Sequence, residues 1–499
     1  MQYETLAAVD LGSNSFHLQI GRVVDDQIYL LDGLREQVRL GAGLTRDKRI
    51  DRATQVRALD ALRRFSDRLR GFPAEAVRVV GTNALRVAKN SRQFLAEAKE
   101  ALGFPIEVIA GREEARLIYL GVAHSLPLSP EKRLVMDIGG GSTEFIIGTG
   151  VRPELMDSLY MGCVSYSLKY FAEGKVEKSA FKQAELAARS ELQTIVKQYT
   201  KRGWAEAVGS SGTARSIASI VEANGWSEHG VSAAGLDRLR SAFLKAGDMG
   251  RLLLPGMRED RAAILPGGLV IMCAAFAELG IEHLSVSDAA LRQGVLYDLL
   301  GRVQKHDMRA VTVRQFMRRY HVDTAQSQRV AELAARLHRH LSATERDPHA
   351  GQALAWAAAL HEIGISIAHN GYHKHSAYVI ANADMPGFSR MEQAQLARLV
   401  LAHRGKLAKL QDLSPVPTDW ALVFCLRLAS LFCRSRADLE LPQFACEITE
   451  SGFRLLLPED FLENRPLSAA ELADEADEWK SIGLRLDVKP LRDAAAKAA

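Results

Sequence analysis

The chain has 499 residues, of which 47% are hydrophobic and 25% charged, so its composition is that of an ordinary globular protein with ample material for cores. The net charge of +4 and the pI of about 8.7 are too mild to indicate a nucleic-acid-binding protein, although clustered basic residues would suit an anionic substrate. Length alone predicts about three or four domains.

The five cysteines are scattered without a CxxC pair, which is typical of reduced thiols and argues against a disulfide framework or a zinc finger. The N-terminus lacks a basic segment followed by an apolar one, and no apolar stretch approaches the ~18–20 residues of a membrane span. These features favour a cytoplasmic protein and leave peripheral membrane contact open.

Residues 1–125 are the first predicted region, in which short strands and helices alternate. Residues 52–70 have helical periodicity, which places Val56, Leu59, Leu62 and Phe65 on one face of a helix. Alternation of this kind predicts an α/β layered structure.

The second predicted region, residues 126–302, contains a motif with an acid at each end. An apolar run ends at Asp137, three glycines follow at 139–141, and Glu144 opens a second apolar run. This pattern predicts two buried strands and a tight turn whose N–H groups can approach an anion. Because the two acids would repel a phosphate, we expect a divalent cation between them. Alone, the motif could also be a plain glycine-rich hairpin.

An internal repeat strengthens the metal–phosphate interpretation. Residues 7–21 align without a gap on residues 134–148, so that Asp10 falls on Asp137. A repeated phosphate-loop pattern predicts two similar lobes that each offer one loop to a shared cleft.

The composition changes twice in the second half of the chain. Residues 303–437 are rich in Ala, Leu, Arg and His and predict a nearly all-helical domain. In residues 438–499, two short strands, an amphipathic helix at 468–482 and a last strand predict a small α/β domain.

Two adjacent acids, Glu113 and Glu114, open a predicted helix in the first region. Acids are common in first turns, where they offset the helix dipole. Beside two phosphate loops, one of them could instead be a general base that takes a proton from an attacking water; their spacing does not decide which. The loop amides and Arg39, Arg86 or Lys89 are candidates to neutralise phosphate charge.

Several motifs occur in order along the chain. They are Asp-Leu-Gly-Ser-Asn-Ser (10–15), Gly-Thr-Asn-Ala-Leu-Arg (81–86), Glu-Glu-Ala-Arg (113–116), Asp-Ile-Gly-Gly-Gly-Ser-Thr-Glu (137–144), Met-Gly-Cys (161–163), Gly-Ser-Ser-Gly-Thr (209–213), Leu-Pro-Gly-Gly-Leu (265–269) and Asp-Ala-Ala-Leu-Arg-Gln-Gly (288–294). With them the chain resembles the exopolyphosphatase/guanosine pentaphosphate phosphatase family over nearly its whole length. The resemblance implies two ribonuclease-H-like lobes of the actin/Hsp70/sugar-kinase superfold, an all-α HD-like domain and a small α/β C-terminal domain.

The resemblance also implies roles for particular residues. Glu114 would be the catalytic base, and Asp10, Asp137 and Glu144 would be associated with Mg²⁺. The implied phosphate-binding residues are Ser13, Asn14, Ser15, Arg86, Gly139, Gly140, Gly141, Ser142, Gly209, Ser210, Ser211, Gly212 and Thr213.

The helical region resembles an HD phosphohydrolase domain, with departures. His361 is followed by Glu362 where an HD enzyme has Asp, Ile365 stands where the pattern often continues with Lys, and residues 428–430 lack the final Asp. Because the loss of two carboxylates weakens a two-metal site, we expect a structural or substrate-binding domain and no second active site.

The resemblance implies a Mg²⁺-dependent hydrolase that removes terminal orthophosphate from inorganic polyphosphate, and a homodimer. One alternative is the same chemistry on guanosine pentaphosphate, alone or as a second activity. More distant alternatives are an actin-like kinase or ATPase, and a sensor that binds polyphosphate or an alarmone without hydrolysis.

Overall fold

The computed structural model describes residues 3–24, 27–127, 129–303, 307–341, 348–410, 416–437 and 443–491. The chain divides into two compact units. The first contains residues up to Met308 together with Pro386–Arg390, and the second contains Arg309–Met385 and the residues from Met391 on. Among the described residues, no helix has the length and apolar character needed to cross a membrane.

The first sheet of the first unit has five strands in the order β3-β2-β1-β4-β5. The strands are β1 (Thr5–Leu11), β2 (Phe16–Val24), β3 (Gln27–Glu36), β4 (Val77–Gly81) and β5 (Ile106–Val108). The helices of this part are α1 (Arg52–Arg68), α2 (Asn83–Val87), α3 (Ser91–Leu102) and α4 (Gly111–Ser125).

The second sheet has six strands in the order β10-β11-β9-β6-β7-β8. The strands are β6 (Lys132–Ile138), β7 (Thr143–Thr149), β8 (Arg152–Leu159), β9 (Glu206–Gly209), β10 (Val231–Ser232) and β11 (His283–Val286). The helices are α5 (Cys163–Tyr170), α6 (Lys178–Arg202), α7 (Gly212–Ala223), α8 (Ala233–Ala246), α9 (Glu259–Ala262), α10 (Leu265–Leu279) and α11 (Leu291–Val303).

The two sheets repeat one topology. In the first, β1 pairs antiparallel with β2 and parallel with β4; in the second, β6 pairs antiparallel with β7 and parallel with β9. Across the hairpins, Asp10 faces His17 in the first and Asp137 faces Glu144 in the second. The internal repeat in the sequence is therefore a structural duplication.

A shared core joins the two sheets. Val135 packs in a cluster that also contains Ala8 of the first sheet and residues of α4 and α11, whereas its neighbours Leu134 and Met136 pack on the other face of the second sheet. Burial on both faces explains why the middle of β6, Leu134–Met136, is continuously apolar rather than alternating. Helices α4 and α11 pack closely, since a Cβ on Gly294 would lie 1.7 Å from the Leu117 carbonyl oxygen.

One detail of the predicted α1 is wrong. Leu59, Leu62 and Phe65 are buried as expected, but Val56 is exposed. A spacing of three residues falls short of a full helical turn, so successive positions drift around the helix and Val56 lies off the buried face. Thr54 and Ala58 are buried on that face instead.

The second unit is mainly helical and ends in a three-stranded sheet of order β12-β13-β14. Its helices are α12 (Met308–Arg319), α13 (Thr324–Leu341), α14 (Pro348–Leu360), α15 (Tyr372–Asn382), α16 (Arg390–Ala402), α17 (Ala421–Phe432), α18 (Glu459–Glu463) and α19 (Pro466–Ser481), and its strands are β12 (Ala445–Thr449), β13 (Gly452–Leu457) and β14 (Arg485–Pro490). Phe424 of α17 stacks on Phe453 of β13 at 4.3 Å, so helices and sheet share a core. The predicted boundary at residue 438 lies outside the described residues.

With two duplicated α/β lobes, a helical region and a small α/β end, the predicted fold class is confirmed.

Candidate active site

The loop between β1 and β2 has its carbonyl oxygens tied back to the protein. The carbonyl of Ser13 accepts a hydrogen bond from the N–H of Gly41 at 2.7 Å, and that of Asn14 accepts one from Arg39 at 2.8 Å. The N–H groups of residues 13–15 have no hydrogen-bond acceptor within the described part of the chain. They are therefore available to an anion.

The loop between β6 and β7 repeats this arrangement with different partners. The carbonyls of Gly139 and Gly140 accept hydrogen bonds from the first residues of α5, at 2.9 and 3.0 Å. The N–H of Gly139 closes the turn on the carbonyl of Ser142 at 2.9 Å, so it is not free to bind phosphate as predicted. In the described residues the N–H groups of residues 140–142 find no acceptor.

The two loops meet at a narrow cleft of about 160 Å³. A Cβ on Gly140 would lie 3.0 Å from the Cβ of Ser13, so the two loops approach this closely because residue 140 has no side chain. One on Gly141 would lie 2.4 Å from Oδ1 of Asn83 in α2, so this position also requires glycine. The cleft is lined by these predicted site residues: Asp10, Ser13, Asn14, Ser15, Glu114, Asp137, Gly139, Gly140, Gly141, Ser142, Ser210, Ser211 and Gly212.

Other predicted residues lie behind the cleft or away from it. Thr213 donates a hydrogen bond from Oγ1 to the carbonyl of Ile138 at 3.0 Å, and Gly209 lies in β9 against the Leu284 side chain. Both therefore support the walls of the cleft. Arg39 and Lys89 are exposed and do not line it.

Asp10 is a partly buried carboxylate that is only partly satisfied by hydrogen bonds. Its Oδ1 has no hydrogen-bond partner, and its Oδ2 lies 3.8 Å from Nδ1 of His17. Burial raises the pKa of Asp10 to about 7 against the opposing effect of Arg292. Burial and the neighbouring arginines lower the pKa of His17 to about 3, so its imidazole is neutral.

The second hairpin carries two acids that are better satisfied. Ser210 donates a hydrogen bond to Oδ2 of Asp137, and Ser158 donates one to Oε1 of Glu144, both at 2.7 Å. Burial raises the pKa of Asp137 to about 6, despite the Ser210 hydrogen bond. Burial, Glu114 and Asp137 together raise the pKa of Glu144 well above its usual range. Acidic groups are therefore crowded at this end of the cleft, where Asp137 lines it and Glu144 is buried behind it.

The structure separates the two adjacent glutamates of α4. Glu114 lines the cleft, and its Oε2 accepts a hydrogen bond from Nη1 of Arg86 at 2.5 Å. Glu113 does not line the cleft, since both of its carboxylate oxygens are bound by Arg116 at 2.8 Å. Consecutive helical residues point about 100° apart, which allows one to face the cleft and the other the interior.

The acids at the cleft suit a Mg²⁺ ion that is held partly by the protein and partly by the substrate. Among the described residues, no three His, Cys, Asp or Glu side chains form a group that could hold a metal by themselves. Mg²⁺ is commonly held by one or two carboxylates together with substrate phosphates and water. The unpartnered Oδ1 of Asp10 and the crowded acids Asp137 and Glu144 suit a cation that arrives with the substrate.

A wider, basic cavity of about 570 Å³ adjoins the cleft. The cleft and this outer cavity share His17, Gly212, Arg215, Arg261 and Arg292, and the outer cavity adds Arg35 and Arg258. Burial and neighbouring arginines lower the pKa of Arg261 and of Arg292, although nearby acids oppose this. An anion in the cavity would relieve this mutual repulsion.

Gly212 has a packing role at the entrance. A Cβ there would lie 2.1 Å from Nη2 of Arg261, so glycine lets the guanidinium lie over the start of α7. The side chain of Ser211 caps α7 by accepting a hydrogen bond from the N–H of Ala214 at 3.1 Å. The start of α7 thus adds its partial positive charge to that of Arg261.

Sequence reasoning did not identify the arginines of the outer cavity. Arg215 follows the Gly-Ser-Ser-Gly-Thr motif by two residues, and Arg292 lies inside the 288–294 motif, so proximity to a motif was a usable signal for both. Arg261 stands in a short helix without a motif, and only the tertiary structure places it at the cleft.

The second unit has a cavity of about 750 Å³ lined by His361, Glu362, Tyr372 and His403, among others. Nδ1 of His361 and of His403 each lies within hydrogen-bond distance of a backbone carbonyl, and Glu362 accepts a hydrogen bond from Arg436 at 2.6 Å. A carboxylate paired with Arg436 is a poor replacement for a metal-bound aspartate. That this domain is structural or substrate-binding stays a prediction.

Comparison with known families gives two matches along the chain. The model of the Ppx/GppA phosphatase family matches residues 19–303, and the model of domain III of Ppx/GppA phosphatases matches residues 308–476. The first match contains the second loop, Glu114 and the arginines of the outer cavity.

Solved structures of similar proteins agree with these matches. An exopolyphosphatase from Cytophaga hutchinsonii is 27% identical with a TM-score of 0.55, and the match covers 60% of this chain and 98% of that one. The PPX-GPPA enzyme of Aquifex aeolicus is 26% identical with a TM-score of 0.50, covering 59% of this chain and 98% of that one. About two fifths of the present chain thus has no counterpart in either structure.

Proposed function

The chain belongs to the Ppx/GppA phosphatase family, and on that premise we propose that it is a Mg²⁺-dependent exopolyphosphatase, which releases orthophosphate from the end of inorganic polyphosphate. The observation that carries this proposal is a narrow cleft with free loop amides that opens into a cavity lined by five arginines. The cleft would hold the terminal phosphate and the outer cavity the following phosphates.

In the proposed reaction, Glu114 is the general base. It takes a proton from a water whose oxygen attacks the terminal phosphorus, and the phosphoanhydride bond to the next phosphate breaks. The products are orthophosphate and a chain shorter by one phosphate. Arg86 holds the carboxylate of Glu114 at the cleft and so keeps its orientation.

Developing negative charge on the phosphoryl group would be stabilised by residues of both lobes. The N–H groups of residues 13–15 and 140–142 supply preorganised donors, and Arg292 supplies a cation. A Mg²⁺ ion would be held by Asp10, Asp137 and Glu144 and would neutralise charge on the phosphate oxygens.

The outer cavity favours polyphosphate over guanosine pentaphosphate. Among the residues that the structure describes, no Phe, Tyr or Trp lines it, so a guanine base would have to stack on His17 or on the arginines themselves. Several neighbouring arginines instead suit a chain of phosphates, because one guanidinium group can donate two parallel hydrogen bonds to the oxygens of a phosphate. Guanosine pentaphosphate remains the second candidate, since its terminal phosphates would meet the same cleft.

Phosphate release from separate substrates tests the proposal. Purified protein with Mg²⁺ is incubated with long polyphosphate, tripolyphosphate or guanosine pentaphosphate, and free phosphate is measured, with ADP formation as the readout for a kinase or ATPase. We expect release from long polyphosphate at the highest kcat/KM. Preferred release from guanosine pentaphosphate would overturn the substrate assignment, and tight polyphosphate binding without release would indicate a sensor. A cytoplasmic location and a homodimer stay predictions.

A further inference from the structure

A network of buried charges lies behind the first turn of α4. Arg116 binds both carboxylate oxygens of Glu113 and also binds Asp298 of α11. Arg78 of β4 donates to Asp298 at 2.5 Å and to Glu107 of β5 at 3.1 Å. Although burial opposes it, Asp298 and Glu113 raise the pKa of Arg116, so the network is charged. It joins α4 to α11 and to the first sheet.

A short segment from the middle of the second unit's sequence completes this network. Residues Pro386–Arg390, which we call the strap, lie between α15 and α16 in sequence but belong to the first unit. The N–H of Gly387 donates to Oε2 of Glu113 at 2.9 Å, and Nη2 of Arg302 donates to the carbonyl of Gly387, also at 2.9 Å. Phe388 and Ser389 are buried.

The backbone of the strap requires glycine at its point of contact. Gly387 has a φ of 90°, in the left-handed region that other residues rarely adopt. In this conformation one peptide group reaches Glu113 through its N–H and the next meets Arg302 through its carbonyl. Through Gly387, the strap is therefore hydrogen-bonded to two charged side chains.

The network and the cleft meet at consecutive residues. Glu113 is held by Arg116 and the strap on the interior side, and Glu114 is held by Arg86 on the cleft side. The N-cap residue of α4, Ala110, has no side chain that could cap the helix. The partners of the two glutamates, together with the hydrogen bond from Arg112 to Asp157, therefore hold this first turn in place.

We propose that the strap is a positioning element for the general base: through Glu113 it fixes the first turn of α4 and thereby the direction in which Glu114 presents its carboxylate. This inference rests on the proposed function of Glu114. The strap and Glu113 do not line the cleft. Loss of the strap's contacts should therefore lower turnover and leave substrate binding nearly unchanged.

The test compares two arginines in matched surroundings. Arg302→Lys removes the hydrogen-bonding fork between Gly387 and Asp298, and Arg133→Lys removes a similar fork between the carbonyl of Pro127 and Glu206. We expect Arg302→Lys to lower kcat about tenfold, with KM within about twofold of wild type, because small misplacements of a catalytic group are costly. Arg133→Lys should leave both values unchanged. Melting temperatures show that every variant is folded.

A second pair of variants tests the backbone conformation of the strap without altering a charged side chain. Gly387→Ala strains the strap without removing a charge, and Gly280→Ala places the same strain at the end of α10, where φ is 69° and the space is open. Only Gly387→Ala should lower kcat. An unchanged kcat in folded Gly387→Ala and Arg302→Lys, or a rise in KM that accounts for the loss, would overturn the proposal.

A double variant separates this inference from the proposed function. If the strap acts through Glu114, then Arg302→Lys should cause no further loss in a Glu114→Gln background, measured on whichever substrate releases phosphate. A further loss of about tenfold would show that the strap acts elsewhere. Wild-type turnover in Glu114→Gln alone would instead refute the base assignment, whatever the strap variants do.

Discussion

The two hairpins of the first unit share a backbone but differ in the side chain that faces each aspartate. In the second hairpin Asp137 faces Glu144, and each acid receives a hydrogen bond from a serine. In the first, Asp10 faces a neutral His17 and keeps an unpartnered oxygen. The two hairpins therefore share a loop of the same backbone form but differ in charge: the second carries acids, and the first adjoins the arginine-lined outer cavity.

The largest expected effect tests what the two hairpins share. Asp10→Asn and Asp137→Asn should each lower turnover about a hundredfold and raise the Mg²⁺ concentration needed for half-maximal rate, because each removes a charge that would hold the ion. Phosphate release is measured during Mg²⁺ titration, with the exposed Asp67→Asn as control. An unchanged Mg²⁺ dependence in both variants would contradict the shared metal role.

The next effect tests how the hairpins differ. Glu144→Gln should lower turnover about tenfold and raise the Mg²⁺ concentration needed for half-maximal rate, because it removes an acid. His17→Gln replaces one neutral side chain by another, so turnover should stay within about threefold of wild type. Since the pKa of His17 is about 3, the variant should also keep the wild-type pH–rate profile between pH 5 and 8. A limb of the pH–rate profile between pH 5 and 8 that is present in the wild type and absent from His17→Gln would refute this difference.

A third effect tests whether the outer cavity holds the phosphates that follow the terminal phosphate. Arg35→Gln and Arg258→Gln should each raise KM for long polyphosphate about tenfold and that for tripolyphosphate less, because these two arginines line the outer cavity and not the cleft, and only the long chain fills the outer cavity. The control is Arg240→Gln, whose guanidinium pairs with Glu185 away from both cavities. Equal changes in KM for both substrates would place the chain elsewhere.

The smallest effect concerns the serine donors that only the second hairpin has. Ser158→Ala removes the hydrogen bond to Glu144 and should lower the free energy of unfolding by about 1 to 2 kcal/mol, because a buried carboxylate loses a donor. Urea denaturation measures this value. The matched control is Ser241→Ala on the exposed face of α8, which should change it by less than about 0.5 kcal/mol.

Much of the fold and part of the candidate site could be predicted from the sequence. The alignment of residues 7–21 on 134–148 predicted two lobes, because strand alternation and glycine turns are local properties that survive in the pattern. The free amides near residues 13–15 were predicted for the same reason. The N–H of Gly139 was not predicted correctly, since its use depends on how the turn closes.

What the sequence determined by itself is the set of local elements: which residues stand together in a strand, a turn or the start of a helix. It thus showed that Glu113 and Glu114 open α4 and that two similar loops each join a pair of strands. The tertiary structure alone decided which glutamate faces the cleft, because the partners that orient each one are distant in sequence. Arg86 holds Glu114, and Gly387, which is 274 positions from Glu113, helps to hold the other. Distant groups of opposite charge meet only once the chain has folded, and no local spacing encodes those meetings.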